Sequence, residues 1–180
     1  MRFERTMLAA LMLSLASGAA ATAGQMKVEG VHLCCGACVK AVNAAFEGVE
    51  GITNLTVDKD AGTVVWEAAD RKTAQKGIQA LAKAGFGGKA AFDGKPVNFP
   101  KGVKEEATGD SVTIGGLHNC CDGCADAITA ALKGVKGVAE AKCNKRQCTV
   151  TGTAVSHTAL IEALHAAGLH GNIAMPKKPE

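Results

Sequence analysis

The sequence has no tyrosine and one tryptophan, and five phenylalanines complete its aromatic set. Proteins that hold single-stranded nucleic acid stack bases on such rings, so this chain has little to stack them on. An excess of one charge is also missing. Lys and Arg number 20 against 17 Asp and Glu, a formal +3 spread evenly along the chain, which makes no basic face for a phosphate backbone. Nucleic acid is therefore not expected as a partner. No Ser/His/Asp set, paired catalytic carboxylates or phosphate loop is evident, and Gly85-Phe86-Gly87-Gly88 follows a helical stretch instead of opening one, which makes it a turn. The chain is not expected to be an enzyme.

Long apolar runs are scarce as well. Arg2 and Arg5 precede one from Met7 to Ala16, and Ala21-Thr22-Ala23 closes the segment in the small-x-small form of a signal-peptidase site. That run is about half the roughly 20 residues of a membrane span. Residues 1–23 read as a cleaved secretory signal, no later segment is long enough to cross a bilayer, and the expected location is the periplasm or outside the cell. Thiol pairs tend to oxidise there.

What the chain does have is cysteine, eight of them, and an internal repeat that organises them. At an offset of 86, Val31-His32-Leu33-Cys34-Cys35-Gly36-Ala37-Cys38 lies over Leu117-His118-Asn119-Cys120-Cys121-Asp122-Gly123-Cys124. Phe46/Leu132, Gly48/Gly134, Val49/Val135, Gly51/Gly137 and Ile52/Val138 follow in register. After a three-residue deletion Ala84-Gly85-Phe86 meets Ala167-Gly168-Leu169. Two copies of one unit are implied, at 24–93 and 109–176, with a Pro/Gly-containing exposed linker at 94–108 and a tail at 177–180.

Within a copy, Met26 to Val31 predict a strand. Val39, Val42, Phe46 and Val49 recur at helical spacing, as do Ala125, Ile128, Leu132 and Val135 in the second copy. Ile52 to Val57 and Thr63 to Trp66 flank Asp58-Lys59-Asp60-Ala61-Gly62 as a hairpin. Ile78, Leu81 and Ala82, with Ile161, Leu164 and Ala167, mark a second helix, and a short strand follows Gly88 or Gly171. The order is βαββαβ, so the expected class is α+β, two ferredoxin-like units in tandem.

Val28-Glu29-Gly30-Val31, Cys35-Gly36-Ala37-Cys38-Val39-Lys40-Ala41-Val42, Gly51 and Ala84-Gly85-Phe86 resemble the heavy-metal-associated domain of copper chaperones, metal-pumping ATPases and the periplasmic mercury-binding protein. The resemblance covers nearly the whole mature chain, twice. It implies that Cys35 with Cys38, and Cys121 with Cys124, each bind one soft metal ion, and that a metal transporter or another metal-binding protein is a partner. This sequence departs from the family where Met-Thr is usual before the first Cys. His32-Leu33-Cys34 and His118-Asn119-Cys120 stand there and add a His and a third Cys to each loop.

The residues themselves point the same way. Two cysteines three positions apart at a helix start can bring both sulfurs to one ion, and the helix N-terminus favours thiolate over thiol. Three thiolates and an imidazole complete a tetrahedral zinc set, whereas two or three thiolates with His32 or His118 left aside suit Cu(I), Hg(II) or Cd(II). One ion per domain is expected, for sequestration or hand-over. Two alternatives stand beside this reading. One is a thiol-disulfide redox protein using Cys35 and Cys38, disfavoured because Pro96, Pro100, Pro176 and Pro179 all lie in the linker or tail. The other is a structural module whose loop cysteines are disulfide-bonded. Cys143 and Cys148 replace Val57 and Gly62 either side of a hairpin turn, where a disulfide can staple the strands; the competing readings are a small core residue at Cys143 with Cys148 incidental, and auxiliary metal ligation shared with His170. His157 and His165 read as surface residues.

Overall fold

A computed structural model describes residues 23–104, 106–145 and 147–173. The expected signal, apart from Ala23, and the tail lie outside the described residues. Elements run β1 (Gly24–Glu29), α1 (Gly36–Phe46), β2 (Ile52–Asp58), β3 (Thr63–Ala68), α2 (Arg71–Lys83), β4 (Lys89–Phe92) and β5 (Lys95–Val97). The second half follows with β6 (Thr108–Gly115), α3 (Asp122–Lys133), β7 (Val138–Cys143), β8 (Gln147–Ser156), α4 (His157–Ala166) and β9 (Asn172–Ile173). The two antiparallel sheets are ordered β2-β3-β1-β4-β5 and β7-β8-β6-β9. Among the described residues this is an α+β architecture with four helices, compatible with ferredoxin-like units.

Alternation builds each core. Met26 and Val28 on β1, and Val64, Trp66 and Ala68 on β3, turn to the same buried face at period two. On α2, Ala74, Ile78 and Leu81 supply the helical stripe that covers them. Asp70 starts α2 by accepting the Thr73 N–H at 2.7 Å. Trp66 donates its indole N–H to the Ala74 carbonyl at 3.2 Å and meets the Phe46 ring edge-on at 5.0 Å. Gly77 leaves room for both rings, since a Cβ there would fall on them.

The segment after residue 93 departs from the expected exposed linker. Asp93 and Gly94 take positive φ values of 48° and 75°, the backbone of a tight hairpin turn, and β5 joins the sheet edge beside β4. Val97 and Phe99 are then 5% and 6% exposed. Burial of these two side chains, with an Asp-Gly turn to return the chain, outweighs the Pro and Gly content that suggested a linker. Lys101 pairs with Glu162 on α4 at 2.6 Å, so this segment ties the two halves together.

Candidate metal centre

In both halves a buried apolar residue anchors the loop between the first strand and helix: Val31 and Leu33 in one, Leu117 in the other. Val31 also donates its N–H to the Gly62 carbonyl at 2.9 Å. The helix then opens on a cysteine. Cys35 and Cys121 are the N-cap residues of α1 and α3, with extended backbones at φ −153° and −154°. Cys38 and Cys124 lie in the first turn, fully buried. Cys34 and Cys120 stand one residue outside each helix, and their residues remain exposed.

The two loops meet. The turns after α2 and α4 pair across the halves, with Phe86 and Leu169 in an antiparallel bridge, His170 N–H to Gly85 O at 2.9 Å and Gly87 N–H to Gly168 O at 3.1 Å. Gly168 O also accepts the N–H of His32 at 3.1 Å, which draws the first cysteine loop onto the second half. Only glycine fits these turns. At Gly85 (φ 87°) a Cβ would fall on the backbone of Gly116 to His118, and at Gly168 (φ 76°) on that of Gly30 to His32. Phe86 stacks on the His118 ring at 4.5 Å.

Six sulfurs consequently share one cluster. Cys34 Sγ lies 3.6 Å from Cys38, 3.4 Å from Cys121 and 3.5 Å from Cys124. Cys120 Sγ lies 3.8 Å from both Cys35 and Cys124 and 3.9 Å from Cys38. Within each C-x-x-C pair the separation is 3.8 Å. A disulfide needs about 2.05 Å, so these are unbonded thiols. A point equidistant from three sulfurs 3.8 Å apart is about 2.2 Å from each, close to the roughly 2.3 Å of a metal–thiolate bond. The donor set therefore fits a soft transition-metal ion in size and in chemistry.

Protonation within the cluster is uneven. The backbone N–H groups of Cys38 and Ala37 draw the Cys35 thiol down to about 6, and in the equivalent turn the Cys124 N–H lowers Cys121. Desolvation pushes Cys38 up. Cys34 and Cys120 are also raised, first by desolvation of the packed sulfur, although the outer side of each residue meets solvent, and then by the neighbouring thiols.

Of the histidines, His32 Nε2 or Nδ1 lies within 4.8 Å of the Cys34 and Cys124 sulfurs, and desolvation keeps its imidazole below its ordinary pKa. His118 is likewise lowered by desolvation. The Nε2 atoms of both are buried without a hydrogen-bond partner, which leaves each neutral ring with a nitrogen that a ligand can satisfy. His170 is not in the cluster. It is 2% exposed, and its Nδ1 lies 2.8 Å from His165 Nε2. His165 in turn packs on Phe99 at 5.5 Å and is held at about 4, chiefly by desolvation. It is a packed residue and not the surface residue expected, because the segment carrying Phe99 folds over α4. Cys143 and Cys148 are bonded to each other with Cα atoms 4.0 Å apart, which supports the staple and leaves them no thiolate for metal. Sequence reasoning found every sulfur in the cluster. It missed that the two loops face each other across the Gly85 and Gly168 turns, for which the matched Ala-Gly-Phe and Ala-Gly-Leu strings were the available signal.

Two small α+β units whose cysteine loops converge on one thiol cluster define a thiophilic-metal-binding protein. Residues 111–170 match the heavy-metal-associated domain family, so the chain carries one such domain there. Domain and cluster together indicate binding of a soft transition-metal ion. No curated protein matches the chain. Among solved structures it is similar to the first two RRM domains of yeast poly(U)-binding protein, at 14% identity over 86% of this chain and 99% of that one, with a TM-score of 0.25; a likeness at that level carries no argument. No helix among the described residues is long and apolar enough to cross a membrane.

Proposed function

We propose that the protein is an exported, non-enzymatic metal carrier that holds thiophilic ions, Cu(I), Zn(II), Hg(II) or Cd(II), in the cluster of Cys34, Cys35, Cys38, Cys120, Cys121 and Cys124. The observation that carries the reading is the approach of these sulfurs to 3.4–3.9 Å without bonding. Residues 1–23 are its signal for export to the periplasm or beyond. The first half is a second heavy-metal-associated domain, supported by its element order, equal to that of the matched half, and by the repeated loop. Cys34, Cys120, Cys35 and Cys121 reach the surface, so thiolates of a metal transporter or another metal-binding protein can engage an ion there and displace ligands one at a time. Sequestration or hand-over follows from that exposure.

The contrast between Cys35, low in pKa and reachable, and Cys38, buried, also favours a second reading, thiol-disulfide exchange. Chelator competition under anaerobic conditions, run beside an insulin-reduction assay, separates the two. The carrier reading expects at least one of the four ions to be retained against the chelator with no reductase activity. Indifference to all four ions contradicts it, and insulin reduction by Cys35 supports exchange.

A further inference from the structure

The sulfurs do more than cluster. Cys35, Cys38, Cys124 and Cys121 run round a ring, each within 4.8 Å of the next. Cys34 and Cys120 cap that ring from opposite sides, each within the same reach of every member. Six points so related are the corners of an octahedron, with Cys34 opposite Cys120, Cys35 opposite Cys124, and Cys38 opposite Cys121. Both halves contribute one member to every opposed pair.

This arrangement decides which coordination is available. Any four corners of an octahedron include an opposed pair, which for edges of 3.8 Å stands about 5.4 Å apart, too far for the roughly 3.8 Å between thiolates of a tetrahedral zinc site. Triangles are what the cluster offers. Four alternate faces, Cys34/Cys35/Cys38, Cys34/Cys121/Cys124, Cys35/Cys120/Cys121 and Cys38/Cys120/Cys124, use each sulfur twice and share no edge. An ion at the centre of each would be three-coordinate, and each thiolate would bridge two ions.

Resting on the metal-binding reading, we infer that the two halves together form one tetranuclear site, which takes four monovalent copper ions in place of one ion per domain. Soft thiolates select Cu(I), which accepts three-coordinate sulfur, whereas zinc in each face would need a fourth donor that the six sulfurs do not supply and that His32 offers only beside Cys34 and Cys124. Charge agrees. Four Cu(I) against six thiolates leave two negative charges, while a single divalent ion would leave four crowded into the same space. No redox step is involved: each thiol still protonated releases its proton, and copper enters as Cu(I). Adjacent ions would lie two-thirds of an octahedral edge apart, about 2.5 Å for edges of 3.8 Å, within the range where metal–metal scattering is visible by X-ray absorption.

The test is anaerobic titration of the full chain with Cu(I), followed by native mass spectrometry and copper X-ray absorption. The inference expects cooperative filling to four copper ions per chain, with sparse intermediates, three sulfur neighbours per copper and a short copper–copper distance. Replacing Cys34, shared by two faces, in Cys34→Ser should abolish the four-copper species, and Cys120→Ser should do the same from the other half. Saturation at one or two ions with no copper–copper scattering overturns the tetranuclear site and leaves the carrier reading standing. Absence of any copper binding also overturns the tetranuclear site, and the carrier reading then falls only if zinc, cadmium and mercury are refused as well.

Discussion

Cys35 and Cys38 are one helical turn apart and chemically unlike. The first faces the backbone N–H groups of the α1 N-terminus and is held at about 6, while desolvation raises the second. At pH 7 in the apoprotein, iodoacetamide should therefore modify Cys35 and Cys121 first, with the Cys35 rate rising to half its plateau near pH 6; a common midpoint near 8.5 for all six thiols would contradict this. The His165–His170 pair makes a second claim. Both imidazoles are held low, so the unfolded chain binds protons that the folded chain refuses. Stability from His165 is complete above about pH 6.5 and declines as pH falls toward 4. Cys35 acts in the same sense at higher pH, its stabilisation fading as pH falls from about 9 to 6, so the imidazole is isolated by comparison with His165→Gln. Between pH 6 and 4.5 the melting temperature of the wild type should fall more steeply than that of the variant, and parallel slopes would refute the assignment. The cysteines were legible residue by residue from the twice-repeated H-x-C-C-x-x-C string. His165 was not, because what buries it is Phe99, 66 positions away.

At the scale of elements, periodicity and punctuation read well. The helices begin at Cys35 and Cys121 and the central hairpin turns between Asp58 and Thr63 as expected. The edge strand Lys95–Val97 was missed although Asp93-Gly94 is a hairpin signal, because three residues containing Pro96 carry too little pattern. Two substitutions test the packing. Gly77→Ala improves helix propensity by up to about 1 kcal/mol yet places a methyl on Trp66 and Phe46, so it should cost a net 1 kcal/mol or so, overpacking being worth roughly 1–3 kcal/mol. A lower urea midpoint at unchanged m-value is the expected readout, and a raised midpoint would show that the rings yield freely. The Cys143–Cys148 bond closes a loop of sequence separation 5. Its removal in the double Ser variant should cost about 2 kcal/mol on the chain-entropy account while leaving metal stoichiometry intact, and a change in stoichiometry would instead make the hairpin part of the site.

For the whole molecule the decisive feature is that two loops, 86 residues apart in sequence, form one centre. The repeat announced two equivalent sets of thiols. It did not announce their meeting, since the seam beside the loops is made of glycine backbones, Phe86 and Leu169, which the sequence marks by nothing stronger than the matched Ala-Gly-Phe and Ala-Gly-Leu strings. Gly168→Val should open that seam, by driving a side chain into the backbone of Gly30 to His32, and lower copper affinity by at least tenfold without touching a ligand. The most direct test is the Cu(I) affinity of the first loop in a chain whose second loop has been disarmed, Cys120→Ser with Cys121→Ser and Cys124→Ser, measured by chelator competition under anaerobic conditions. If the halves share one centre, Cys34, Cys35 and Cys38 alone should bind copper at least tenfold more weakly than the intact cluster, and cooperative uptake should vanish. If they work independently, the variant will keep wild-type affinity and simply lose half its copper, and the shared centre is wrong.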